Sequence, residues 1–276
     1  MDVMLDHLTS RECKAYLDGG GDLAFVPVGT LERLGPHLPL GARNYVVTAI
    51  ARILSEKNNG LCLPLIPCST VYDTFGQRGS MDITPEFIHR YCYDVCGELS
   101  ANGFKRIIFI SFQEELYYLS HAYFQERNRA VIYMHPDSFF SAPDTVAASL
   151  DNHGRELWRL AACLRATGND EMLDRVLSKT EKFFHTYELV INEGRQFLNL
   201  LGSSACKTGE KEWRYYPVNL GKSLEHKSAP YIKPDRALPD QARDELLSWL
   251  DSLTPAVNDL STYQEYIDER AFRRPL

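Results

Sequence analysis

The chain has 276 residues, with 30 Lys and Arg against 37 Asp and Glu, and a formal net charge of -7. Hydrophobic residues make up 44%, the proportion of an ordinary globular protein, so a sizeable core can be buried. The acidic balance argues against a duplex nucleic-acid partner, which needs a basic face to displace counterions, and no run of about 18 apolar residues offers a membrane span.

The N-terminal stretch carries Asp2 and Asp6 and has no apolar signal core. The seven cysteines, Cys13, Cys62, Cys68, Cys92, Cys96, Cys163 and Cys206, form no compact framework. Without a secretory signal they read as reduced thiols of a cytoplasmic protein. Cys92 and Cys96 read as core packing on a helix. A metal role for them would need a second Cys/His pair at ligand spacing, and the sequence has none.

Residues 22–28 (DLAFVPV) predict a buried strand. Residues 45–57 carry apolar side chains at helical spacing and stop at Asn58-Asn59-Gly60. A second apolar run covers 61–67 (LCLPLIP). Thr84 is placed to cap a helix that opens on Pro85 and ends at Asn102-Gly103. Residues 105–111 (KRIIFIS) form the clearest strand, followed by a helix over 114–127, a strand over 130–134 (AVIYM) and a helix over 152–166. The stretch 180–233 gives no clear pattern, and 202–211 reads as a surface loop. No repeat or linker divides the chain, so one domain over 1–276 is expected. Alternating strands and helices predict an α/β fold with a central, mostly parallel sheet flanked by helices. Ligands gather at the carboxyl ends of such strands, here after Val28, Ile110 and Met134.

After the first strand comes Pro27-Val28-Gly29-Thr30-Leu31-Glu32-Arg33-Leu34-Gly35-Pro36-His37-Leu38-Pro39-Leu40-Gly41. This string resembles the signature of the creatininase family: P-V-G-[ST], then E-x-H-G-P-H-L-P, a short spacer and Asp. Residues 77–83 (QRGSMDI) resemble the family's F-P-G-T-I-S-L, 103–111 its G-F-R-R-I-V-L-V-N strand before N-G-H-G-G-N, and 154–164 the helix that begins H-A-G-E-x-E-T-S. Residues 233–237 match a C-terminal segment faintly, so the resemblance spans about residues 20–250. It implies a three-layer creatininase-like fold, a homo-oligomer (commonly a hexamer), and hydrolysis of small or cyclic amides at two divalent ions.

Residue by residue, the implied metal site is degraded. The first ligand is kept as Glu32, the next falls on Leu34, the bridging Asp on Arg43, the His of N-G-H on Gln113, and the last Glu is kept as Glu115. In the later motif the His falls on Asn152, or on His153 after a shift of one, and the Glu on Arg155. Leucine offers no donor, and a permanently charged guanidinium repels dications. No metal and no other cofactor is therefore expected. Arg43 is expected to take the metal position and bridge Glu32 and Glu115, two carboxylates that would otherwise repel each other.

Each residue also has a structural reading. Glu32 suits a helix entry, Glu115 a helix N-terminus, and His37 a structural hydrogen bond. Gln113 either donates to a substrate carbonyl or fills the old ligand space. Asp73, Asp82, His135, Asp137 and His153 are the residues from which a relocated metal site would be built. Of the aromatic run, Phe109, Tyr118, Tyr123 and Phe124 belong to core, while Phe112 and Tyr117 are candidates for a pocket mouth. Arg155, Asn152, His153, His37 and Gln113 complete the candidates for contact with a small-molecule substrate. Three functions compete: a metal-independent enzyme with Glu32 or Glu115 as acid–base group and Arg43 or Arg155 holding an anionic or carbonyl group; a non-catalytic homologue that binds a small ligand or supports a partner; and a metallo-amidohydrolase with relocated ligands.

Overall fold

Parallel strands covered on both faces must be apolar along their whole length, and the first strand, Leu23–Val28, is buried at all six positions. The computed structural model describes residues 2–34, 38–71, 79–120, 129–141, 152–184 and 238–270. Within them the strands are β1 (Leu23–Val28), β2 (Leu61–Cys62), β3 (Arg106–Ser111) and β4 (Ala130–Met134). They form one all-parallel sheet in the order β2-β1-β3-β4. The helices are α1 (Ser10–Asp18), α2 (Ala42–Lys57), α3 (Pro85–Ala101), α4 (Asn152–Ala166), α5 (Asp170–Phe184) and α6 (Leu238–Arg270), with residues 115–120 also helical. No helix among the described residues is long and apolar enough to cross a membrane.

Side chains alternate across the strands, and the alternation divides the core in two. Leu23, Phe25, Ile108 and Ile110 pack with α2, α4, α5 and α6 on one face. Ala24, Val26, Val28, Ile107 and Phe109 pack with Tyr16 of α1, with Ile88, Cys92, Cys96 and Leu99 of α3, and with Leu116 and Leu119 on the other. The three layers expected from the sequence are thus present. Cys92 and Cys96 are wholly buried in α3, and burial pushes the thiols of Cys62, Cys92 and Cys163 up to about 12; they pack as small apolar groups rather than as nucleophiles.

Three local differences from the sequence expectation have physical causes. The run 61–67 pairs as a ladder only at Leu61 and Cys62, because Pro27 of β1 has no N–H with which to return the next bond. The chain still follows β1, through Leu63 N–H to Phe25 C=O (2.9 Å) and Ile66 N–H to Pro27 C=O (3.0 Å). Thr84 precedes α3, but its side chain makes no capping bond, and Pro85 supplies the start. Helix α2 begins at Ala42, three residues before the apolar pattern. The stretch 202–211 and residues 121–128 of the third predicted helix lie outside the described residues.

The early start of α2 depends on Gly29. A Cβ there would lie 1.9 Å from Asn44 Oδ1 and 3.1 Å from Asn44 Cα, so any side chain would turn the Asn44 amide aside and crowd the first turn of α2 against the end of β1. Asn44 Nδ2 then reaches the Pro67 carbonyl at 3.1 Å. At the far side of the sheet, Gln264 of α6 accepts the Ala130 N–H of β4 at 2.8 Å, and Asp268 faces Arg129 at 3.7 Å.

Phe25, fully buried at the centre of the sheet, gives a direct test of this packing. Phe25→Ala is expected to cost about 3–5 kcal/mol, read as a lower urea midpoint.

Candidate functional site

Each group of the site stands beyond the carboxyl end of a strand, where a parallel sheet opens. After β1 the chain folds back so that the Glu32 N–H donates to the Leu40 carbonyl at 2.9 Å. That turn buries the Glu32 side chain, which is 2% exposed. Its Oε1 accepts from the Thr30 hydroxyl and from Arg43 Nη1 at 2.8 Å. Arg43 sits in the first turn of α2, and its Nη2 donates to Glu156 Oε1 of α4 at 3.0 Å.

The charges continue past Glu156. Arg159, one turn along α4, donates from Nη1 to Glu156 Oε2 at 3.2 Å and from Nη2 to Asp137 Oδ1. Asp137 Oδ2 lies 3.8 Å from His135 Nδ1. Three carboxylates thus alternate with two guanidiniums. Both guanidinium carbons lie over the ring of Phe112, at 4.6 and 4.9 Å from its centroid, a favourable cation–π position. His135 meets the same ring edge-on at 5.6 Å.

Burial works against the Arg43 charge, but Glu32 and then Glu156 outweigh it and raise its proton affinity. Arg43 is a fixed cation. Burial lowers the His135 pKa, against Asp137, and Arg43 and Arg159 push it the same way as burial, so His135 is held neutral. Burial raises the Tyr133 phenol, and Glu114, Glu115 and Asp137 add to the effect while Arg43 opposes it. Buried side-chain atoms with no hydrogen-bond partner include Arg43 Nε, Glu115 Oε2 and Tyr133 Oη.

The structure pairs Arg43 with Glu32, but the expected bridge to Glu115 is not made. Glu156 takes that place, because α4 inserts it between Arg43 and Arg159. Phe112 does not line a pocket mouth: it is 7% exposed, its ring against the two guanidiniums. Tyr117 is half exposed and meets Tyr118 edge-on at 5.9 Å. Gln113 is buried; its N–H donates to Ser111 Oγ at 3.1 Å and its C=O accepts from Leu116 at 3.2 Å. Arg155 is partly buried in the first turn of α4. His37, and the side chains of Asn152 and His153, lie outside the described residues.

Two divalent ions do not fit this set. Leu34 has no donor, and Arg43 already occupies a Glu32 oxygen. Among the described residues no group of three His, Cys, Asp or Glu can hold a metal. Of the residues considered for a relocated site, Asp82 accepts the Val71 N–H at 2.9 Å, His135 and Asp137 belong to the charge chain, and Asp73 lies outside the described residues.

Sequence reasoning missed Glu156, Arg159 and the link to Asp137. The signal for Glu156 was present: residues 153–156 read H-G-R-E. Sliding the H-A-G-E motif by one aligns both His153 and Glu156, whereas the ungapped placement put its Glu on Arg155.

A family model described as Creatininase: Creatinine amidohydrolase matches residues 6–154. Among solved structures, the chain is similar to one titled "Creatininase Mn", with a TM-score of 0.60, 12% identity, and coverage of 93% of this chain and 99% of that one. A mutant creatininase complexed with creatine gives 0.59 and 13%, covering 94% and 98%. A crystal structure of creatinine amidohydrolase gives 0.51 and 17%, covering 61% and 73%. In another mutant creatininase the match spans 63% of that chain, less than two thirds of its length. At these identities the likeness is one of fold. No curated protein matches.

Two outcomes follow from the charges. Arg43→Met removes the partner of buried Glu32 and is expected to destabilise the fold by about 3 kcal/mol, the low end for a broken buried pair because Arg43 is itself 21% exposed; chemical denaturation measures it. For His135, a folded-state pKa below the ordinary 6.5 means the unfolded chain takes the proton first. Its contribution to stability is complete above about pH 6.5 and is lost as pH falls below that value toward the folded pKa. Urea midpoints at pH 7.5 and 5.5 should therefore separate less in His135→Asn than in the unaltered protein.

Proposed function

Because the chain belongs to the creatininase family, we propose that it is a divergent, metal-independent enzyme acting on a small amide, lactam or guanidine-like substrate, by hydrolysis or by the reverse ring closure. The observation that carries this reading is the Arg43 guanidinium fixed between Glu32 and Glu156, at the position where the family resemblance implies a bridging Asp. A preset positive charge there serves a developing oxyanion without reorganising during the reaction.

Arg43 spends one N–H of each terminal nitrogen on a carboxylate and keeps a buried Nε–H without a partner. That N–H is the donor offered to the substrate carbonyl. Glu115 supplies the complementary group, a buried carboxylate oxygen with no hydrogen bond. In hydrolysis Glu115 takes a proton from water, the water oxygen bonds to the carbonyl carbon, and the proton passes to the nitrogen as the C–N bond breaks. Run backward, the same transfers close a ring and release water. Glu32 is held by Thr30 and Arg43 and frames the cation rather than moving protons. Gln113, Arg155 and Tyr117, with His37, Asn152 and His153, are the candidates for substrate contact.

A second reading, a non-catalytic homologue that binds a small ligand, is favoured by one specific fact. Both oxygens of Glu156 and one oxygen of Glu32 are taken up by guanidiniums, an arrangement that also suits a purely structural role.

A screen of small amides, lactams and guanidines, starting from compounds of the size of creatine and run after exhaustive chelation, separates these readings. The enzyme reading expects turnover that survives chelation and falls by about 10²–10⁴ in Glu115→Gln, the usual worth of a general base. Full activity in a well-folded Glu115→Gln variant, or activity that returns only with a stoichiometric transition metal, overturns it.

A further inference from the structure

We propose that Arg159 is a positioning residue, which ties Glu156 to Asp137 and so fixes the carboxylate that anchors Arg43. The proposal rests on the enzyme reading above for its functional meaning, but its geometry stands apart from it.

Arg159 is 3% exposed, and the two ends of its guanidinium go to different parts of the fold. Nη1 holds Glu156 on its own helix, and Nη2 holds Asp137 in the 3-10 segment Pro136–Ser141 that follows β4. A planar fork engaged at both ends is held in one orientation. Glu156 is engaged at both ends as well, with Oε1 on Arg43 and Oε2 on Arg159. Rotation of its carboxylate would break two charge-assisted bonds at once. The Phe112 ring lies against both guanidiniums and links them sterically as well.

The sequence adds an independent point. With H-A-G-E placed on residues 153–156, Arg159 falls on the Thr of E-x-E-T-S. Like Arg43, it is a charge that the family pattern does not carry. Two fixed cations therefore accompany the loss of a two-cation centre, and each is satisfied by a different oxygen of Glu156.

A simple structural ion pair and a positioning link predict opposite signs for one variant. Asp137 is about half exposed, so Asp137→Ala removes its charge and the acceptor of Arg159 Nη2 together with little risk to folding; an asparagine there would keep an amide oxygen as acceptor. If Asp137 acts only as a nearby charge, its removal makes Glu156 easier to ionise. If Asp137 aims Arg159, its removal takes away the acceptor that fixes Nη2; Arg159 turns from Glu156, and Glu156 binds its proton more tightly.

The test is a pH titration of the full chain labelled with ¹³C at glutamate carboxyls, with the Glu156 signal assigned by Glu156→Gln. The expected result is at least a threefold rise in Glu156 proton affinity in Asp137→Ala and at least a tenfold rise in Arg159→Met. In an Arg159→Lys background, Asp137→Ala should have no further effect, because a single ammonium cannot reproduce the two-ended bridge. A fall or no change in Asp137→Ala overturns the proposal, as does an effect that persists undiminished with Lys at position 159. If Arg159→Met fails to fold, Asp137→Ala alone decides. Turnover is not read, so an inactive protein with the expected titration sinks the enzyme reading alone, and an active one with an unmoved Glu156 sinks only this proposal.

Discussion

A cation largely withdrawn from water must be surrounded by charge of the opposite sign, and the Arg43 guanidinium meets that condition through Glu32 and Glu156. Withdrawing two ions from water costs several kcal/mol each, and only close, well-directed partners return it. The three residues come from separate parts of the fold: the turn after β1, the start of α2 and the start of α4. Each must arrive with little freedom. The turn is closed by the Glu32 to Leu40 backbone bond, α2 can reach β1 because position 29 has no side chain, and α4 is seated by buried Leu157, Trp158 and Leu160. The apolar core and the charge chain are therefore one construction, with the core fixing the distances that the charges need.

A guanidinium does not do the chemistry of a divalent ion. A metal binds water and lowers its pKa to near neutrality; Arg43 offers directed N–H groups and a constant charge. In the proposed reaction the burden of moving protons falls on a carboxylate, and Glu115 is the carboxylate here with an unengaged buried oxygen. In that proposal the site keeps its place in the fold while the division of labour inside it changes. That is consistent with a fold shared at 12% identity and with the general independence of fold and chemistry.

The sheet was legible because strands buried on both faces leave continuous apolar runs, and 22–28, 105–111 and 130–134 all show them. The ladder at 61–67 was overread, since the break lies in its partner strand, where Pro27 cannot donate. The start of α2 was not legible from periodicity, because Ala42 and Arg43 are set by a close backbone approach at Gly29 rather than by an apolar stripe. In the site, Arg43 and Glu32 followed from a short, specific motif within one loop. Glu156 stands 113 residues from Arg43, and its identification turned on a one-residue choice of register in a helix. Arg159 lies three residues from Glu156 on one helix, a spacing open to sequence reading once Glu156 is chosen, whereas Asp137 comes from tertiary packing, of which the sequence gives no local sign.

The bond from Gln264 to the Ala130 N–H bears on how the molecule behaves in company. Strand β4 ends the sheet of described residues, and an open strand is a template on which a foreign chain can add. A glutamine that is 3% exposed answers one of its backbone donors from within, and the Arg129 to Asp268 contact holds the same helix across the strand's beginning. Helix α6 thus shields the beginning of that strand, and its loosening is expected to show first as clumping rather than as unfolding.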